Sequence, residues 1–164
     1  MTRKEYNNCV ELHADSVYRF IVKNIRDNEK ARDIVQEAFA KVWHKSEEVD
    51  FARSKSYLFT TAYNTMIDVI RKEERMVRLE DRHRMHETAS NAFSDLKEVL
   101  DEALKQLPEI QRTAVLLRDY EGYSYQEIGE ITGLNEAQVK VYIFRARTSL
   151  KNYIKQLDYV LEDR

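Results

Sequence analysis

The sequence predicts an all-α protein: two small helical domains joined by a flexible linker, the C-terminal one a helix-turn-helix. Three observations predict it. Glycine occurs three times and proline once in 164 residues, too few to punctuate the strands of a β fold. Apolar residues recur at three- and four-residue spacing along most of the chain. A small, polar stretch, Glu87 to Asp95 (ETASNAFSD), interrupts that periodicity. The length suits one domain or two small ones, and the pattern divides the chain into 1–86, a linker at 87–97, and 98–164.

In order along the chain, Tyr6 to Arg26 presents Leu12, Phe20, Ile21 and Ile25 on one helical face. Asp27-Asn28 makes a turn. Glu29 to Lys45 carries a wide apolar stripe of Ile34, Val35, Ala38, Phe39, Val42 and Trp43, with both aromatics expected in the core. Ser46 to Arg53 is polar and reads as a loop. Ser54 to about His83 is a long helix with Leu58, Ala62, Met66, Val69 and Ile70 inward, and its charged end, RKEERMVRLEDRHR, is expected to be exposed or frayed. Beyond the linker, Leu96 to Leu107 is helical. Pro108 opens the next helix, where its missing N–H costs nothing, and Ile110, Ala114, Leu116 and Leu117 follow up to Tyr120. Glu121-Gly122 breaks that helix.

The segment Tyr125 to Arg147, YQEIGEITGLNEAQVKVYIFRAR, is the helix-turn-helix. Its first helix runs from Tyr125 to Thr132 with Ile128 inward. Gly129 lets the two helices approach, Gly133 supplies the positive φ of the turn, and Leu134 plugs the gap beneath it. Asn135 caps the second helix, with Gln138 completing a capping-box-like pair. Val139, Ile143, Ala146 and Leu150 fall on one face. Ala137, Val141, Phe144 and Thr148 fall on the other, flanked by Gln138, Lys140 and Arg145. That helix ends near Tyr153.

Net charge is −2, which neither argues for nor excludes nucleic acid, because binding depends on local charge. From Ala137 to Leu157 there is no acidic residue, whereas Lys140, Arg145, Arg147, Lys151 and Lys155 are basic. A one-sign face suits phosphate neutralisation. The single cysteine, Cys9, permits neither an internal disulfide nor a cysteine-rich zinc site. There is no apolar leader and no run of membrane-spanning length, so no membrane insertion and a cytoplasmic location are expected. His83 and His86 are three apart on a helix, but two isolated ligands seldom make a metal site. The carboxylate pairs Glu47-Glu48 and Glu73-Glu74 are interleaved with lysine and arginine, and no Gly-rich phosphate loop or nucleophile motif appears. The expectation is a non-enzyme with no cofactor and no metal.

Three blocks then coincide with one family. ARDIVQEAFAKVW (Ala31 to Trp43), SYLFTTAYNTMIDVIRKEER (Ser56 to Arg75) and ALKQLPEIQRTAVLLRDYEGYSYQEIGEITGLNEAQVKVYIFRARTSL (Ala103 to Leu150) follow one another in an order and spacing that resemble an extracytoplasmic-function (ECF) sigma factor of the sigma-70 family. They look like regions 2.2, 2.3–2.4 and 4. The resemblance implies a protein that binds core RNA polymerase and directs it to promoter DNA, often under an anti-sigma factor. It implies that Asp33, Gln36 and Glu37, within about a turn on a helix whose other face is apolar, dock on the polymerase. It implies that Arg53, Lys55, Asn64, Arg71 and Lys72 serve the −10 element. There Asn64 offers a donor and an acceptor to a flipped base, Tyr57 and Tyr63 are candidates for stacking, and the cations hold phosphates. Asp68, a carboxylate, is expected to pair with Arg71 or Lys72 rather than meet DNA. Ala137, Gln138, Lys140, Val141, Phe144, Arg145 and Arg147 form the −35 reader. The family pattern is broken at Gly129, where alanine is common and the change is expected to be harmless. It is broken again at Val141, Tyr142 and Phe144, often polar or basic in the family, so no family promoter sequence transfers directly. No folded region 3 and no acidic N-terminal domain are recognisable, and only the linker is expected to join the two domains.

Two other readings compete. A conventional helix-turn-helix regulator needs an N-terminal half that dimerises or senses a ligand, hence a leftover apolar seam or a sizeable pocket. The apolar stripes of the first half suffice only for one small core. A helical interaction protein that never touches DNA leaves the acid-free basic run unexplained.

Overall fold

The computed structural model describes residues 1–80 and 96–162. The expected linker core at Glu87 to Asp95, and the His83/His86 pair, lie outside the described residues. Among those described, every regular element is helical. The first helix, α1, spans Arg3–Ile25 and starts from a capping box: the Thr2 hydroxyl accepts from the Glu5 amide at 3.2 Å, and the Glu5 carboxylate accepts from the Thr2 amide at 2.8 Å. Arg26 ends it in the left-handed region at φ 54°, and Asp27 caps α2 (Asn28–His44), its carboxylate accepting from the Lys30 amide at 3.1 Å. The polar stretch after it folds into two short 3-10 turns, Ser46–Glu48 and Phe51–Arg53. The long helix α3, Ser54–Glu80, then crosses both α1 and α2. Phe20, Ile21, Ile34, Leu58, Phe59, Ala62 and Met66 fill the space between the three.

The second half comprises α4 (Leu96–Lys105), α5 (Glu109–Val115), α6 (Tyr125–Thr132) and α7 (Glu136–Glu162). Pro108 immediately precedes α5, as its lack of an N–H favours. Past Val115 the helix widens into one π-helical turn, Leu116–Tyr120, closed by the Glu121 amide donating to the Leu116 carbonyl at 3.1 Å. Gly122 at φ 75° then turns the chain into α6, capped by Ser124 and Glu127. α7 runs well past Tyr153 because Tyr153, Ile154 and Leu157 keep an inward stripe after the basic run.

The structure differs from several sequence expectations. Leu12 is 65% exposed, because α2 and α3 cover α1 on the side of Cys9, Val17 and Phe20 instead. Trp43 is 44% exposed and rests on the Tyr6 ring at 4.9 Å rather than entering the core; Phe39 is partly buried. Tyr63 is buried at 7% exposure and so is not available for stacking. The two halves are also joined by more than a linker: one continuous apolar core runs from α1, α2 and α3 into α5, α6 and α7. Tyr123 anchors it between the halves, edge-on to Phe59 at 5.2 Å and under the Lys55 ammonium at 4.7 Å. Around it, Lys23 bonds Asp101 at 3.1 Å, Arg26 bonds Glu102 at 3.0 Å, and Arg19 bonds Glu121 at 3.2 Å. The buried Asn24 side-chain oxygen accepts from Arg112 at 3.1 Å and from Thr113 at 3.4 Å.

Candidate nucleic-acid interface

The helix-turn-helix forms as its sequence dictates. Gly133 sits at φ 79°, its amide donating to the Gly129 carbonyl at 2.8 Å. A Cβ at Gly129 would lie 2.7 Å from the Leu134 carbonyl oxygen, so the close approach of the turn needs glycine here. The Asn135 side chain accepts from the Gln138 amide at 2.8 Å, and the Gln138 side-chain oxygen accepts from the Asn135 amide at 3.0 Å. Gln138 is thus engaged in capping through its oxygen. Val139, Ile143 and Ala146 are buried under α7, and Leu150 packs partly against the same core.

The outer face of α7 carries the expected −35 residues into solvent. Ala137, Val141 and Phe144 form one stripe, with Val141 44% and Phe144 71% exposed. The cations beside it are not equivalent. Lys140 pairs loosely with Glu136 at 3.5 Å and lies over the Tyr125 ring at 5.6 Å. Arg147 is held by Asp119, its Nε 3.0 Å from the carboxylate, which pushes its pKa further up. Arg145 forms no ion pair among the described residues.

In the first half, Asp33, Gln36 and Glu37 are all exposed on the outer side of α2, opposite the buried Ala31, Ile34, Val35 and Ala38. Asn64, Asp68 and Arg71 are exposed along one face of α3. Asn64 lines a depression with Tyr57, Thr61 and Thr65 of α3 and with Lys41, His44 and Lys45 from the end of α2. Lys41 donates to the Thr65 hydroxyl at 3.1 Å and pairs with Glu37 at 3.3 Å. These three basic residues were missed in the sequence; the signal was a basic last turn on α2, which only the packing of α2 on α3 carries to Asn64. Arg71 and Lys72 lie farther along α3 in a second depression with Asp68, Arg75 and Arg78. The ion pair expected for Asp68 is not formed among the described residues. Arg53 is exposed at the end of the second 3-10 turn. Lys55 is turned away from this group, towards Tyr123 of the other half.

No helix among the described residues is long and apolar enough to cross a membrane. The sequence matches the family model of sigma-70 region 2 over residues 9–76 and that of sigma-70 region 4 over residues 97–150. It is 31% identical to the ECF RNA polymerase sigma factor SigM of Bacillus subtilis over 147 residues, 86% of this chain and 90% of SigM. It is 26% identical to the ECF RNA polymerase sigma-E factor of Haemophilus influenzae, over 94% of this chain and 90% of that one. Among solved structures, the sigma factor RpoE of Bartonella quintana, in complex with the anti-sigma factor NepR, superposes with a TM-score of 0.79 at 26% identity, over 93% of this chain and 98% of RpoE. CnrH, solved in complex with the cytosolic domain of CnrY, shares the fold at a TM-score of 0.69 and 20% identity, over 92% of this chain and 88% of CnrH.

Proposed function

We propose a division of labour among these surfaces from one premise: the chain belongs to the ECF class of the sigma-70 family, the RNA polymerase sigma factors. It binds core RNA polymerase and directs promoter-specific initiation. The first half, about residues 1–86, serves the polymerase and the −10 element; the second, about 98–164, serves the −35 element. On the first half, Asp33, Gln36 and Glu37 dock on the polymerase. Asn64 and Tyr57 receive an unstacked base in the depression between α2 and α3, where Lys41, His44 and Lys45 hold its phosphates. Arg53, Arg71 and Lys72 extend that track, and Lys55 joins it once Tyr123 moves away. On the second half, α7 enters the major groove, with Lys140 and Arg145 on the backbone and Ala137, Val141 and Phe144 at the base edges. The work is recruitment and recognition, with no bond made or broken by this chain, and it takes place in the cytoplasm where polymerase and chromosome meet.

An anti-sigma factor is the third partner. RpoE was solved with one bound, and the superposition on it covers both halves of this chain at once. The packed arrangement is therefore a form suited to being held.

The observation that carries the docking assignment is the exposed polar face of α2 over a fully apolar inner face. Replacing Asp33, Gln36 and Glu37 together by alanine is expected to weaken binding to core polymerase at least tenfold while the helical circular dichroism stays intact. Unchanged affinity would mean that this face is only solvated.

A further inference from the structure

The recognition face of α7 is apolar where a DNA reader is usually polar. Ala137, Val141 and Phe144 are spaced four and three residues apart, which places them on one stripe. Phe144 is 71% exposed, the most exposed large apolar side chain of α7 among the described residues, and no ring contact of it is found among them. The stripe lies between Lys140 on one side and Arg145 on the other, with no carboxylate from 137 to 157. Gln138, the amide nearest the stripe, has its side-chain oxygen engaged by the Asn135 amide. The Thr148 hydroxyl at the end of the stripe donates to the Phe144 carbonyl at 2.9 Å, so the polar groups left are that hydroxyl's oxygen and the Gln138 side-chain NH2 at its edge.

We propose that Phe144 and Val141 are specificity-determining residues that read thymine by its methyl group in the −35 duplex. The thymine C5-methyl is the one apolar group that base pairs present in the major groove. An apolar stripe edged by cations matches a surface of methyls edged by phosphates. A protein groove covering the same stripe would need carboxylates for Lys140 and Arg145, whereas duplex DNA supplies the anions along both rims of the groove. Ala137, being small, lets the first turn of α7 come close, and the longer Phe144 reaches a base further along. The inference rests on the reading of α7 as the groove helix.

The test uses the chain assembled with core polymerase, on a promoter selected from a random library. Each thymine of the −35 segment is replaced in turn by deoxyuridine, which lacks only the methyl. Removing a contacted methyl is expected to weaken binding about 4-fold, the size of one buried methyl-sized group. At that position Phe144→Ala or Val141→Ala should bind thymine and uracil templates equally, with an unchanged melting temperature because both side chains are exposed. Lys140→Ala should weaken both templates alike. Insensitivity of the wild type at every position overturns the proposal. If Lys140→Ala and Arg145→Ala still reduce duplex binding in that case, α7 remains the reader and only the methyl contact is lost. If they do not, the groove reading itself fails. A Phe144→Ala chain that keeps its promoter binding and methyl dependence, and instead loses binding to a protein partner, assigns the stripe to that partner and also overturns the proposal.

Discussion

The Tyr123 hydroxyl is buried and has no hydrogen-bond partner among the described residues. Its ring anchors the seam between the halves through Phe59 and Lys55, so the residue is retained there for its ring rather than its oxygen. Burial, then the nearby carboxylates of Glu121 and Glu127, push the phenol far above its usual value near 10. The sign follows. The folded protein keeps this proton where the unfolded chain releases it, so the stability is fully present below about pH 10 and is lost as pH rises beyond. Tyr123→Phe is therefore expected to raise stability near neutral pH by about 1 kcal/mol, since it deletes an unpaired buried hydroxyl. It should also flatten the alkaline loss above pH 10. Urea unfolding at pH 7.5 and in an alkaline series checks both; a destabilised Tyr123→Phe would show that the oxygen has a partner after all. No sequence pattern marks this residue. A tyrosine one place after a glycine reads as loop, and its burial depends on α3 meeting α6 across more than sixty residues of chain.

At the scale of elements, the helix-turn-helix was legible almost residue by residue. Its start at Tyr125, the glycine turn, the Asn135–Gln138 cap and the inward Val139–Ile143–Ala146 face all depend on local geometry, which local sequence encodes. The partners of its cations were not legible, because they come from elsewhere. Arg147 looks free in sequence, yet Asp119 from the π-helical turn neutralises it. The three basic residues of the outer face should therefore behave differently on duplex promoter DNA. Lys140→Ala and Arg145→Ala are each expected to reduce the slope of log affinity against log salt by about one if they hold phosphates. If either instead touches a base, about 1–3 kcal/mol is lost at one position. Arg147→Ala should change the slope by less than one, since its charge is already matched. Equal effects for all three, in a salt titration, would mean that the Asp119 pair dissolves on DNA. Neither Lys140→Ala nor Arg145→Ala changing binding would mean that α7 is not the reader.

For the whole molecule, the order of helices was legible in the sequence, whereas the contact between the two halves was not. That contact depends on residues that read as ordinary surface: Lys23, Arg26, Asp101, Glu102 and Arg112. Most of these ion pairs are partly exposed, and pairs of that kind contribute little. The seam is thus held mainly by the apolar core that Tyr123 and Phe59 share with the side chains around them. Elements named −10 and −35 are about 25 base pairs apart, or about 85 Å at ~3.4 Å per step. A compact chain of this length has a radius of gyration of about 15 Å. On the proposed division of labour, one half on each element, the packed form is too small to reach both at once, and we infer that the halves part on the promoter.

As proposed, this chain reads DNA as a subunit of RNA polymerase, one half on each promoter element. Run-off transcription by core polymerase from a library of random promoters tests it most directly. Transcripts are expected only when the chain is added, from templates enriched in two separate sequence blocks about 25 base pairs apart. A single palindromic block, bound equally well without polymerase and yielding no transcript, would contradict it and point to a dimeric helix-turn-helix regulator.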